Sequence, residues 1–367
     1  MDFLKDEVMK FPSGLDSFIG NARAVEILKR AIAQDRLPHA MIFAGPAGVG
    51  KCTLALLIAQ NLNCLEPTGN GACGFCSACK RISAIMESRS LECQTLKQGF
   101  CGSCPNCKTR TKHHPDIRLV EPEKTTISID QVREMIAEIA FQPAEARYRV
   151  VIFDPAEQMR LEAHNSLLKT LEEPASRTVM ILVTANPYML LETIRSRARI
   201  LHFGEIPQAR IERYLIESEK RTAEEARLAA ALSRGSLAAA LSFNTSQYRE
   251  IRKQALEFVM LLLKRAGFSE ASNLAVRVSK DKEKDYFQLW IESVAALLQD
   301  VYYTGLAAER VGQRDLLGNF EELAHAVSRP QLVRTINDVG KLIRNLQLNV
   351  NRQLALEAMF VQNQMGS

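Results

Sequence analysis

Five short apolar segments divide the N-terminal half of the chain, and each ends in, or is followed by, a glycine or a polar residue. They lie at residues 41–44, 117–120, 149–153, 179–184 and 200–203. Segments with helical spacing lie before and between them, at residues 18–36, 132–140 and 157–171. Ser128 and Gln131 have the spacing of a capping box ahead of the second of these helices. Continuous apolar runs that alternate with helices are typical of a parallel sheet covered by helices on both faces. The pattern therefore predicts an α/β domain.

The C-terminal part of the chain has helical periodicity only. Short Ala- and Leu-rich helices are predicted within residues 207–243, and longer ones at 249–265, 283–308 and 330–348. The last of these carries an apolar stripe at helical spacing, made of Leu332, Ile336, Val339, Ile343 and Leu346. Such a stripe indicates the core of a helical bundle. Trp290 and the pair Tyr302 and Tyr303 follow the same periodicity, which favours core positions over nucleic-acid stacking.

A glycine-rich turn follows the first apolar segment. It comprises Gly45, Pro46, Ala47, Gly48, Val49, Gly50, Lys51, Cys52 and Thr53. This spacing fits a P-loop, whose backbone N–H groups surround phosphate oxygens at a helix N-terminus while the lysine reaches the outer phosphates. An ordinary glycine turn does not require that lysine. The sequence therefore predicts a nucleotide-binding site, with ATP as the ligand.

The P-loop departs from its pattern at the residue that should hold Mg²⁺. A Ser or Thr hydroxyl is expected after the lysine, and Cys52 stands there. A thiol is a poor ligand for a hard cation. Thr53 is adjacent, but one residue along a helix points about 100° away. We therefore expect weak Mg²⁺ binding.

Asp154 directly follows the third apolar segment, as the carboxylate of a Walker B segment does, and it is a candidate to orient the water shell of Mg²⁺. In hydrolytic proteins of this kind a glutamate follows directly, whereas here Pro155 follows and Glu157 comes two residues later. The alternative interpretation of Asp154 is a cap at the end of a strand.

Eight of the nine cysteines form two similar sets. The first set is Cys64, Cys73, Cys76 and Cys79, and the second is Cys93, Cys101, Cys104 and Cys107. Four thiolates suit tetrahedral Zn²⁺, and because each set is complete we predict two zinc sites rather than one. A disulfide framework and a shared cluster or iron–sulfur site are the alternatives. His113 and His114 are spare candidate ligands, although His114 also fits a turn before the next strand.

The composition adds little to these predictions. The 367-residue chain has a net charge of +5, spread without long runs, which permits nucleic-acid contact without arguing for it. Its first residues are mixed and charged, unlike a secretory signal. No apolar run approaches the roughly 18 residues of a membrane span. We therefore expect a cytoplasmic protein without membrane contact.

His39, before the first strand, is either a nucleotide contact or a partner for a backbone group, and we favour the second.

Several of these segments together resemble a known family. They are residues 37–40, the P-loop, the cysteine module, residues 165–174 (Asn-Ser-Leu-Leu-Lys-Thr-Leu-Glu-Glu-Pro) and residues 194–197 (Ile-Arg-Ser-Arg). They resemble bacterial clamp-loader AAA+ subunits, and within that family the delta-prime group of DNA polymerase III. The resemblance covers nearly the whole chain.

The resemblance implies three domains. Residues 1–205 would form the AAA+ nucleotide-binding domain, with the cysteine module at 60–115. Residues 206–243 would form a helical lid, and 244–367 an all-helical collar that packs against other subunits. The family typically has one zinc module, so the second cysteine set is an addition.

The resemblance also implies roles for individual residues. Arg197 matches the arginine of a Ser-Arg-Cys motif that reaches the ATP of a neighbouring subunit, although Ala198 replaces the cysteine. Thr184 matches the first sensor position. Cys52, Pro155 and Ala238, which stands where a second-sensor arginine is expected, each remove charge stabilisation from phosphoryl transfer.

These features predict a stator that hydrolyses ATP poorly or not at all and supplies Arg197 in trans. Its expected partners are tau/gamma and delta subunits in a pentameric ring, the sliding clamp, and primed DNA. One alternative is an ATP-hydrolysing motor of the tau/gamma type in which Glu157 or another carboxylate replaces the missing base. Another is a zinc-dependent nucleic-acid-binding protein that keeps the P-loop as a scaffold.

Overall fold

A computed structural model of the chain describes residues 14–69, 71–90, 114–123, 125–264, 267–279, 284–307, 311, 313, 316–345 and 351–365. The chain divides into two compact units, Met1–Ser242 and Phe243–Ser367. The second cysteine set, Cys93, Cys101, Cys104 and Cys107, lies outside the described residues, as does His113.

The first unit is built on a five-stranded sheet in the order β2-β3-β4-β1-β5. Its strands are β1 (Ala40–Ala44), β2 (Ile117–Val120), β3 (Arg149–Phe153), β4 (Thr178–Thr184) and β5 (Arg199–His202). All neighbouring strands pair in parallel. The prediction of a parallel sheet is confirmed. Since β1, β3 and β4 are buried along their whole length, their side chains are apolar on both faces, except at the strand ends Arg149, Thr178 and Thr184, and show no alternation.

Helices cover the two faces of this sheet. The helices of the unit are α1 (Ala22–Ala33), α2 (Lys51–Asn63), α3 (Ser77–Ser90), α4 (Ile129–Ile139), α5 (Leu161–Glu172), α6 (Glu192–Arg195), α7 (Gln208–Glu217), α8 (Ala223–Leu232) and α9 (Leu237–Ser242). One apolar cluster joins Phe43 of β1 to α1, α2 and α3. A second cluster joins Ile42, the preceding residue of β1, to α4 and α5. Alternate strand residues thus contribute to two separate cores.

The local signals at two helix starts gave different outcomes. Ser128 and Gln131 form the predicted capping box, in which each side chain bonds the backbone of the other residue. The helix predicted at 157–171 instead begins at Leu161, after a short 3₁₀ turn at Ala156–Gln158. Pro155 precedes that turn with an extended backbone, so the chain leaves β3 before it becomes helical.

A buried ion pair fixes the loop before β3. Arg149 Nη2 lies 3.0 Å from Asp116 Oδ1, and both side chains are almost fully buried. The Asp116 carboxylate also accepts hydrogen bonds from the backbone N–H groups of Ala144, Glu145 and Ala146. Burial raises the pKa of Asp116, but the three backbone donors and Arg149 together lower it by more. The pKa of Asp116 therefore lies below its usual value.

The second unit is entirely helical in its described residues. Its helices are α10 (Thr245–Leu263), α11 (Phe268–Ser279), α12 (Lys284–Thr304), α13 (Leu317–Ala326), α14 (Arg329–Asn345) and α15 (Arg352–Met365). Trp290 is fully buried between Phe258 and Phe287, which confirms it as a core residue. Leu332 and Val339 of the predicted stripe are buried in the same core. In neither unit does a described helix have both the length and the apolar composition needed to cross a membrane.

Candidate functional site

The predicted P-loop lies between the buried end of β1 and the start of α2. Gly48 and Gly50 have φ angles of 75° and 89°, a backbone region that residues with a Cβ rarely adopt. A Cβ on Gly48 would also lie 2.0 Å from Ser236 Oγ, so a side chain has no room there. Gly50 is the N-cap of α2, and the turn therefore ends at a helix N-terminus, where an anion is favoured.

Lys51, at the first position of α2, is buried and bonded to the loop itself. Its Nζ donates hydrogen bonds to the carbonyl oxygens of Gly45 and Pro46, both at 2.6 Å. Burial lowers the pKa of Lys51, while the carboxylates of Asp154 and Glu157 oppose this shift. Lys51 thus lies where a P-loop lysine is expected, but carbonyl oxygens occupy two of its three donors.

The end of β4 is also bonded within the chain. The Thr184 hydroxyl donates to the carbonyl of Asn186 at 3.0 Å and accepts from its N–H at 3.1 Å. Glu157 Oε1 accepts the N–H of Ala185 at 3.0 Å, and this contact ties the turn after β3 to the end of β4. Glu157 Oε2 is buried without a hydrogen-bond partner in the described part of the chain. Sequence reasoning did not anticipate this link, because no local pattern joins residues 157 and 185.

The start of α9 packs directly on the P-loop. The N–H of Ala238 donates to the carbonyl of Gly48 at 3.1 Å. Ala238 thus contributes backbone, rather than a charged side chain, at the position where the resemblance expects an arginine. A phosphate chain fits the glycine turn and Lys51, whereas the Cys52 thiol does not fit Mg²⁺. The arrangement suits binding of phosphate better than its transfer.

Arg197 lies on a different part of the same unit, just after α6. Its Nε donates to Glu172 Oε1 at 2.9 Å, and Nη2 lies 2.6 Å from the same oxygen. Nη1 donates to the carbonyl of Thr193 at 3.0 Å and contacts the Ser196 hydroxyl at 3.4 Å. The Arg197 side chain is 35% exposed. It is therefore held in place and open to solvent at once.

The first cysteine set forms a compact cluster. The sulfur atoms of Cys64, Cys73, Cys76 and Cys79 all lie within 4.8 Å of one another, and these residues are free thiols. Sulfur atoms around tetrahedral Zn²⁺ are about 3.8 Å apart, as bond lengths of about 2.3 Å require. The four residues could therefore hold a metal ion.

Hydrogen bonds to sulfur favour the thiolate form in part of this cluster. The N–H of Cys73 donates to Cys64 Sγ at 3.2 Å, and the N–H of Cys76 donates to Cys73 Sγ at 3.3 Å. Burial raises the pKa of Cys76, but hydrogen bonds from the backbone of Cys79 and Leu65 lower it to about 6. Burial raises the pKa of Cys79, and a bound cation would have to offset that effect.

Two histidines have structural partners. His39 Nε2 lies 3.1 Å from the carbonyl of Leu171, which confirms its expected role as a partner for a backbone group. His114 Nδ1 accepts the N–H of Asp116 at 3.2 Å, in the predicted turn before β2.

Comparison with known proteins gives consistent matches. The family model described as "DNA polymerase III, delta subunit" matches residues 20–88 and 83–207. DNA polymerase III subunit delta' of Bacillus subtilis is 28% identical over 345 residues, which cover 94% of this chain and 96% of the relative. The delta' subunit of Pseudomonas aeruginosa is 34% identical over 233 residues, 62% of each chain. The tau subunit of Bacillus subtilis is 28% identical over 59% of this chain, which spans only 34% of that relative.

Proposed function

The chain belongs to the family described as DNA polymerase III, delta subunit, and from that membership we propose that it is a delta-prime-like AAA+ subunit of a clamp loader. In this proposal it acts in the cytoplasm as a stator of the ring. It helps to load the sliding clamp onto primed DNA and hydrolyses ATP poorly or not at all.

The observation that carries this proposal is the state of Arg197. An arginine finger stabilises the charge of a phosphoryl group in the transition state, and it has to be presented at a surface to act on a neighbour. Arg197 is exposed and held by Glu172 and Thr193. The chain's own phosphate site lacks the P-loop hydroxyl and the Walker B glutamate, because Cys52 and Pro155 occupy those positions. Arg197 therefore serves the nucleotide of another subunit.

The proposal includes two cofactors. ATP would occupy the P-loop formed by Gly45, Pro46, Gly48, Gly50 and Lys51, near Cys52, Thr53, Asp154 and Thr184, with weak Mg²⁺ binding. The positive charge that neutralises the phosphates would come from Lys51, once Nζ has exchanged its carbonyl partners for phosphate oxygens. Zn²⁺ would occupy the first cysteine cluster, and a second Zn²⁺ the set at Cys93, Cys101, Cys104 and Cys107.

The proposed partners follow from the relatives and from the predicted domains. Relatives named delta' and tau are subunits of one polymerase, which supports assembly with tau/gamma and delta subunits. Residues 244–367 would be the collar of the ring, 1–205 the AAA+ domain and 206–243 the lid. The helical second unit, whose described helices share an apolar core, suits a collar.

Reconstitution of the ring tests the proposal. Arg197→Ala should leave assembly with tau/gamma and delta subunits intact, lower the steady-state ATPase in part, and reduce clamp loading more strongly. The loss of ATPase should be partial because other motor sites receive arginines from other subunits. Arg213→Ala is a matched control, since Arg213 forms an exposed ion pair with Glu217 on α7. Normal assembly with both activities unchanged would show that Arg197 is an ordinary surface arginine.

The two rival functions are distinguished with the isolated chain. Robust ATP turnover that Asp154→Asn abolishes would identify a motor subunit. Strong DNA binding with a steep dependence on salt would favour a zinc-dependent nucleic-acid-binding protein. The stator proposal expects neither result.

A further inference from the structure

Glu172 is the residue that fixes the guanidinium of Arg197. Two nitrogen atoms of the guanidinium, Nε and Nη2, lie 2.9 and 2.6 Å from the same carboxylate oxygen. The third nitrogen, Nη1, donates to the carbonyl of Thr193. Glu172 is the last residue of α5, and Thr193 belongs to α6. The arginine is thus held from two separate helices, which restricts both its rotamer and the plane of its guanidinium.

The Arg197–Glu172 pair contributes little to the stability of the fold. Its two side chains are 35% and 51% exposed, and exposed ion pairs contribute little to folding because water and salt screen them. An arginine has many rotamers, and a free one would lose this entropy on reaching a phosphate. A partner that holds the guanidinium in advance removes that cost from the reaction.

We propose that Glu172 is a positioning residue for Arg197: it presents the guanidinium to the nucleotide of the adjacent subunit. This inference rests on the proposed in-trans role of Arg197. The contact geometry leaves room for the task, since Glu172 is the one polar partner that the described residues give Nη2, whose second N–H stays available. Because water screens the exposed pair, the arginine keeps much of its attraction for an approaching phosphate.

Alternatively, the contact with Glu172 would restrain Arg197 and keep it away from the nucleotide. A carboxylate that competes with phosphate for the arginine would lower activity, and its removal would raise activity. The two roles therefore predict opposite signs for the same substitution. The bonds from Glu172 and Thr193 favour positioning, because they hold Nε and Nη1 while Nη2 keeps a second N–H for a phosphate oxygen.

A double-mutant cycle on the reconstituted complex tests the inference. The four chains are wild type, Glu172→Ala, Arg197→Ala and the double variant, with ATPase and clamp loading measured for each. Glu172→Ala should lower the arginine-dependent part of the ATPase roughly two- to fivefold, the range that an exposed ion pair can supply. The effect should fall on kcat and leave KM nearly unchanged, because an arginine finger acts in the transition state. The double variant should match Arg197→Ala.

Two further variants separate positioning from a general structural effect. Glu172→Gln keeps an oxygen acceptor for Nε and should retain more activity than Glu172→Ala. Glu173→Ala removes the adjacent exposed glutamate, which forms no part of the pair, and should leave the ATPase unchanged.

Each other outcome overturns a specific statement. If Arg197→Ala has an effect and Glu172→Ala has none, or raises activity, Glu172 does not position the arginine. Further loss in the double variant below Arg197→Ala would mean that Glu172 acts independently. If Arg197→Ala itself changes nothing, the proposed in-trans function fails, and the inference fails with it.

Discussion

The Arg149–Asp116 pair and the Arg197–Glu172 pair lie in the same α/β unit and differ in their access to solvent. In the first, the arginine is 9% exposed and the aspartate fully buried; in the second, the two side chains are 35% and 51% exposed. Nitrogen–oxygen distances are similar, at 3.0 Å and 2.6 Å. The two pairs therefore differ in solvent exposure rather than in nitrogen–oxygen distance, and we relate their different roles to that exposure.

The buried pair is satisfied entirely by the chain. Asp116 accepts three backbone N–H groups besides Arg149, and Arg149 donates to the carbonyls of Glu138, Phe141 and Gln142. Nothing from outside can compete for these groups. The exposed pair instead holds a cation where another molecule can reach it. A charge that the chain both orients and exposes is a better candidate for function than one that it encloses.

The first cysteine set adds to this comparison four sulfur atoms that the chain brings within 4.8 Å of one another. We predict about two Zn²⁺ per purified chain, since each cysteine set supplies four ligands. Cys76→Ser with Cys79→Ser should remove one ion, and Cys101→Ser with Cys104→Ser the other. This is the largest expected effect, because structural zinc sites bind with about 10–16 kcal/mol. Metal analysis by mass spectrometry provides the measurement.

Cys52→Ser is the control for the zinc experiment, because Cys52 belongs to neither set, and its metal content should not change. One Zn²⁺ per chain that survives Cys101→Ser with Cys104→Ser would show that the second set holds no ion. The first cluster would then be the only one of the two sets that binds zinc.

The two ion pairs should differ clearly in stability. Asp116→Ala leaves Arg149 buried without its counterion, so it should lower the free energy of unfolding by about 3–5 kcal/mol. Glu172→Ala should lower it by less than about 1 kcal/mol, because its pair is exposed. Urea denaturation of both variants, followed by circular dichroism, measures the difference. Equal losses would contradict the distinction between an enclosed and an available charge.

The sequence predicted the first unit well where one local signal controls the structure. Continuous apolar runs located β1, β3 and β4, and the Ser128–Gln131 box located the start of α4. The helix after β3 was placed too early, because its helical spacing extends back over residues that form a 3₁₀ turn after Pro155. In that turn Ala156 is fully buried and Glu157 bonds Ala185, and helical periodicity does not reveal such tertiary contacts.

The candidate site was predictable as a set of residues and not as a set of contacts. Spacing identified the P-loop turn and the first cysteine cluster, while the second cysteine set stays a prediction. The contacts between Glu172 and Arg197 and between Glu157 and Ala185 join residues 25 and 28 positions apart. Such pairs depend on how helices and strands pack. Spacing also does not reveal that Lys51 is bonded to its own loop.

Lys51 is intermediate between an enclosed charge such as Arg149 and an available charge such as Arg197. It is buried like Arg149, and two of its three donors are occupied by the carbonyls of Gly45 and Pro46, yet the proposed function gives it a ligand. We predict measurable ATP binding by the isolated chain, weakened at least about tenfold by Lys51→Ala, a difference of about 1.4 kcal/mol. Lys253→Ala, which removes an exposed lysine of α10, is the control for loss of charge.

The physical reason for this small effect is competition within the P-loop. Binding of phosphate must replace two short bonds from Nζ to carbonyl oxygens, so only the surplus of the new contacts over the old ones contributes to affinity. Burial favours the exchange, since an ammonium group in a desolvated site interacts more strongly with a phosphate charge than with neutral carbonyls. Isothermal titration with ATP, with and without Mg²⁺, should therefore give modest binding that depends little on the metal, because Cys52 is a poor ligand for it. If wild type and Lys51→Ala bind ATP equally weakly, Lys51 belongs with Arg149 as an internal structural charge, and the P-loop is a turn that supports α9 through Gly48 and Ala238.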